Sequence, residues 1–211
     1  MRKFWRGLGW TVGALAVIAL FLRLFFITVW TMPDDPYLVS NAPTLAPGDV
    51  VLVLHRGEPG FGDLVRCPDP QQPGQWVVGR IAGVSGDQVE MDGARLVVNG
   101  KTYSGESACT EPRMMVRHPE TQKETEVACE VVQMGGGWHY RAAAITQFQE
   151  QKKSASVGFG KVFLASDNRT MHDDSRDFGL LDRDTCKERV VFRLWSKAGW
   201  SDDKSRMTII H

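Results

Sequence analysis

Apolar residues follow two different rhythms along this chain. Near the N-terminus they form one long run, from Trp10 through Leu22, which Arg23 interrupts before residues 24–30 continue it. About 20 mostly apolar residues suffice for a helix to span a bilayer, and a charge toward one end can snorkel to the interface. The run predicts a membrane anchor over residues 10–30, behind a tail of residues 1–9 that carries Arg2, Lys3 and Arg6. Beyond Pro36 the pattern turns to short β-like stretches at 50–54, 64–67, 76–84, 88–91 and 96–98. Between them lie turn sequences such as Pro47-Gly48-Asp49, Ser85-Gly86-Asp87 and Asn99-Gly100-Lys101, whose residues tolerate the left-handed backbone of tight reversals. The fold expected is mainly β, a β-sandwich or partly open barrel, with no long helix outside the anchor.

From residue 102 to 160 the composition shifts to charged and polar, with a hairpin tip at 119–124 and a second bend at Gly135-Gly136-Gly137. This segment reads as an inserted smaller β-domain. The main β-domain then comprises residues 31–101 and 161–211, with strands at 161–165 and 190–195 and a polar loop at 166–179. Nothing of the A-x-A type follows the apolar run, so an uncleaved anchor is expected. The basic residues before it predict a cytoplasmic N-terminus, a single pass through the cytoplasmic membrane and a main domain that is periplasmic or extracellular.

Charge and cysteine content narrow the function classes. Lys+Arg and Asp+Glu number 25 each, so no global basic field exists to recruit nucleic acid. Cys67, Cys109, Cys129 and Cys186 show no C-x-x-C metal spacing and suit an oxidising compartment. Three pairings are open; Cys109 with Cys129 would close a local hairpin, while free buried thiols are the alternative. His55, His118, His139 and His211 have no ligand spacing to cysteines or carboxylates, so no metal site is expected.

Four boxes carry the candidate chemistry. They are Ser40-Asn41-Ala42-Pro43-Thr44-Leu45 with Gly48-Asp49; Gly62-Asp63-Leu64-Val65; Gly79-Arg80-Ile81-Ala82-Gly83-Val84-Ser85-Gly86-Asp87; and Ser166-Asp167-Asn168-Arg169-Thr170-Met171-His172-Asp173-Asp174-Ser175-Arg176. In this order, behind an anchor, they resemble bacterial signal peptidase I, whose pattern is S-M-x-P-T-L, G-D, K-R-x-x-G-x-x-G-D and G-D-N-R-x-x-S-x-D-S-R. Residues 96–101 continue the third box as the family's L-x-x-N-G-K. The likeness covers roughly residues 10–196 and implies a membrane-bound serine endopeptidase that removes signal peptides from exported preproteins and needs no cofactor. Its partners would be those signal peptides and the lipid bilayer.

By position Ser40 is the nucleophile, forming an acyl-enzyme that water hydrolyses. Three departures from the family bear on catalysis. Gly79 stands where the family has its lysine base. Leu38 replaces a Ser or Gly two residues before the nucleophile, and Asn41 replaces the methionine after it. His172 takes the place of a serine that lies beside the lysine in that fold. Imidazole titrates near pH 6.5 in general and is a competent base at neutral pH. A Ser40/His172 dyad, oriented by Asp174, is therefore the expected machinery. The alternative is a catalytically inactive relative that acts as an anchored peptide-binding or assembly module.

Overall fold

A computed structural model describes residues 2–145 and 152–211, with side chains except at positions 2–9, 19, 22 and 24; residues 146–151, within the segment expected to be inserted, lie outside it. Helix α1 (Arg2–Phe25) leads into strands β1 (Ile27–Thr31), β2 (Val50–Leu54), β3 (Leu64–Pro68), β4 (Trp76–Val84), β5 (Gln88–Asp92), β6 (Arg95–Val98) and β7 (Lys101–Tyr103). There follow β8 (Ser107–Arg117), β9 (Glu124–Met134), β10 (Gly137–Ala144), β11 (Lys153–Ser156) and β12 (Lys161–Ala165). The chain closes with helix α2 (Ser175–Phe178), β13 (Leu181–Asp182), β14 (Glu188–Trp195) and β15 (Thr208–Ile209).

The protein is mainly β, as the short alternating runs predict. The largest sheet runs β1-β2-β14-β3-β4-β12-β13, with β15 on β14, and curls into a half-barrel. A three-stranded sheet, β10-β9-β8, and a four-stranded one, β11-β5-β6-β7, complete the fold. Strand β4 is central and buried on both faces. Because side chains alternate, Val78 enters one core with Leu38, Leu45, Val53 and Leu64, while Val77 and Ile81 enter another with Val65, Leu164 and Leu181.

Two features depart from the expected layout. Residues 27–30, read from sequence as the end of the apolar span, belong with Thr31 to β1, which pairs antiparallel with β2, Trp30 opposite Val51. Among the described residues no helix is long and apolar enough to cross a membrane. All four cysteines are in disulfides, Cys109–Cys129 and Cys67–Cys186. The first is the local hairpin pairing; the second ties the end of β3 to the segment leading into β14.

Candidate active site

Ser40 sits in a short 3-10 turn, Pro36–Asn41. Asp35 starts it by accepting a hydrogen bond from the Tyr37 N–H at 3.0 Å, and Pro36 supplies the fixed φ and missing N–H that suit a first helical position. Leu38 drives the turn onto the sheet, where it is buried with Met32, Val51 and Val190. Ser40 is 2% exposed. The Asn41 side chain, wholly buried, donates through Nδ2 to Leu38 O and to Ser40 Oγ, both at 3.3 Å.

A buried ion pair holds the boxes together. Arg80 on β4 donates through Nε to Asp167 Oδ1 at 2.8 Å and through Nη2 to Oδ2 at 3.0 Å. Both side chains are fully buried. Thr44, from the Ser40 box, donates to Asp167 Oδ2 at 2.5 Å, and Arg80 Nη1 donates to Gly62 O at 2.8 Å. All four sequence boxes therefore meet at one pair of charges. Burial alone would raise the pKa of Asp167, but the Arg80 charge and hydrogen bonds outweigh it and hold it below the usual carboxylate range.

The loop after β12 is docked on the Ser40 turn. Asn168 N donates to Ser40 O at 2.8 Å, and Met171 packs in a cluster with Ala42 and Val39. The loop also folds back on β12. Ser166 N donates to Asp174 Oδ2 at 2.7 Å, Asp173 N to Ser166 Oγ at 3.1 Å, and Leu164 N to Ser175 Oγ at 2.9 Å. Asp174 is fully buried and accepts from Arg176 Nε at 3.0 Å and Nη2 at 2.9 Å. Burial would raise its pKa, yet the Arg176 guanidinium and the backbone donors bring it down to about 2.

His172 lies in this loop, and its Nδ1 is 2.7 Å from Asp177 Oδ2. Asp177, which the sequence reading did not name, thus faces the imidazole at hydrogen-bond distance. A readable signal existed: Asp174-Ser175-Arg176-Asp177 is a capping box, and Asp177 Oδ2 also accepts from Asp174 N at 3.0 Å. His172, Asp174 and Asp177 bring their ligand-type atoms within 4.8 Å of one another. The Asp174 carboxylate is committed to Arg176, so the trio is not assigned to a metal.

Gly79 occupies the lysine position on β4, opposite Val65 on β3. A Cβ built there would lie 3.3 Å from Leu164 Cβ and 3.6 Å from Ala165 O. Leu164, from the neighbouring β12, would have to give by a few tenths of an ångström to admit a side chain there.

Comparison with known proteins agrees with this geometry. The family described as "Signal peptidase, peptidase S26" matches residues 5–195. Signal peptidase IB of Staphylococcus aureus (strain Mu50 / ATCC 700699) is 28% identical over 194 residues, covering 89% of each chain. Signal peptidase I of Bacillus licheniformis is 30% identical over 175 residues, covering 79% of this chain and 76% of its own. With four boxes brought to one ion pair and nearly the whole length matched, this chain belongs to the signal peptidase family, peptidase S26.

Proposed function

We propose that the protein is a membrane-anchored serine endopeptidase that removes signal peptides from exported preproteins, with Ser40 as nucleophile and His172 as proton acceptor. The N-terminal apolar segment anchors the chain in the cytoplasmic membrane, and the β-domain works on its outer face. The observation that carries the reading is the docking of the 166–176 loop on the Ser40 turn through the Asn168 N to Ser40 O hydrogen bond. That contact holds the loop bearing His172 against the turn bearing the nucleophile. Asp177 restrains the imidazole at Nδ1, an arrangement that suits the other ring nitrogen for proton transfer. Asp174 serves the loop through Arg176.

In the reaction the Ser40 Oγ–H proton passes to the imidazole as Oγ bonds the scissile carbonyl carbon. The C–N bond then breaks, and the proton leaves with the amine of the mature protein. Water, deprotonated by the same base, hydrolyses the ester and regenerates Ser40. No cofactor takes part in these steps.

A second reading, a peptide-binding module without turnover, is favoured by one observation: position 79 on β4 is a glycine, which offers no side-chain base. The deciding experiment is cleavage of a model preprotein by the detergent-solubilised protein beside Ser40→Ala and His172→Ala. Wild-type cleavage lost in both variants supports the enzyme and its dyad. An undiminished rate in His172→Ala removes that residue from the mechanism, and an inert wild type, tested with host preproteins, leaves the binding module as the better account.

A further inference from the structure

The site has no side-chain hydroxyl two residues before its nucleophile, because Leu38 is committed to the core at 3% exposure. An amide stands at hydrogen-bond distance from Ser40 Oγ. Asn41 Nδ2 is 3.3 Å from Ser40 Oγ and 3.3 Å from Leu38 O. A carbonyl oxygen only accepts, so the contact with Leu38 O fixes which end of the amide is the nitrogen. One N–H is thereby held by the backbone of the turn, and the other is aimed at the nucleophile. The side chain is fully buried, and its Oδ1 has no hydrogen-bond partner among the described residues. A buried polar group left partly unsatisfied carries a stability cost, which a purely structural role would not require, since an apolar residue would pack there without it.

We propose that Asn41 is a catalytic residue, its Nδ2–H supplying the oxyanion-hole donor that Leu38 cannot provide. The proposal rests on the reading of Ser40 as nucleophile. When Oγ bonds the scissile carbon, the carbonyl oxygen becomes negative only two bonds from Oγ, within reach of a donor already in contact with Oγ. Before reaction the same N–H occupies an Oγ lone pair, leaving the hydroxyl proton directed to the base. The amide exchanges one acceptor for a more charged one without reorganising, which is how a preorganised donor lowers a barrier. Two departures from the family pattern, leucine before the serine and asparagine after it, then compensate each other.

The test is steady-state cleavage of a model preprotein by full-length protein in detergent, with Ser40→Ala, Asn41→Asp and Asn41→Met, each checked by thermal melt. Both single Asn41 variants should lose about 10²–10³-fold in kcat with KM little changed, the loss seen on deleting one oxyanion donor. Wild-type protein with a peptide aldehyde bound at Ser40 provides a second measurement that needs no variant: Nδ2 should lie about 2.7–3.1 Å from the hemiacetal oxygen. An Asn41→Met rate within threefold of a Ser40-dependent wild type, or Nδ2 out of hydrogen-bond reach of that oxygen, overturns the proposal alone. A wild type that does not cleave, or cleavage that survives Ser40→Ala, overturns the nucleophile reading and the proposal with it.

Discussion

Asp173 shows how strongly the loop beside Ser40 shapes its own residues. Its half-buried carboxyl is pushed up to about 6, first by burial and then by the negative charges of Asp177, Asp69, Asp174 and Asp35. A carboxyl whose folded pKa exceeds its unfolded one binds more protons when folded, so stability falls as pH rises between about 4 and about 6. Asp173→Asn should therefore raise the melting temperature at pH 7.5, and the gain should disappear near pH 4; an equal gain at both would refute the charge explanation. His139 works in the opposite sense. Burial and the cations Arg80, Arg169 and Arg141 depress it to about 3, against the attraction of Asp167, so it folds neutral. Stability from this group is present above about pH 6.5 and is lost as pH falls toward 3. A His139→Gln variant should flatten the acid side of the stability profile, read by urea denaturation at stepped pH. Thr44 and Asp167, which hydrogen-bond each other, stand in boxes that were legible in the sequence. The burial of His139 was not, since the charges around it come from strands β4 and β10 and the 166–176 loop.

Among elements, the strands were legible where apolar residues alternate or run unbroken between turns: 50–54, 76–84 and 161–165 coincide with β2, β4 and β12. Strand β14 begins at Glu188 rather than residue 190 because its first two residues are charged, and partners distant in sequence pay their burial: Arg66 bonds Glu188 at 2.6 Å. Strand β1 was hidden by continuity with the apolar run before it, although Ile-Thr-Val-Trp-Thr has strand composition. The disulfides act at this scale. Cys67–Cys186 closes a separation of 119 residues and Cys109–Cys129 one of 20, so the first removes more freedom from the unfolded chain. Replacing Cys67 and Cys186 by alanine should cost about 4–5 kcal/mol, against about 3 for the hairpin pair, in denaturant titrations. Equal losses would mean that loop length does not decide.

For the whole molecule, the Arg80–Asp167 pair is the joint between the Ser40 turn, the Gly62 turn, β4 and the 166–176 loop. Arg80→Met should cost about 3–5 kcal/mol by stranding a buried carboxylate, whereas Arg80→Met with Asp167→Leu should recover much of that. Urea unfolding of the single and double variants checks this, and additive losses would contradict it. The order of the boxes was legible in the sequence; the joint was not, because a dipeptide such as Gly62-Asp63 gives no sign that its backbone carbonyl will bind an arginine from another strand. The glycine on β4 carries a consequence for altering the site. With Leu164 Cβ 3.3 Å from where a Cβ at position 79 would stand, a lysine introduced there starts in a tight contact, and Leu164 has to give by a few tenths of an ångström. How far that one side chain can shift decides whether Gly79→Lys is tolerated. A lysine grafted at position 79 therefore comes with an adjustment of β12, the strand that leads into the 166–176 loop.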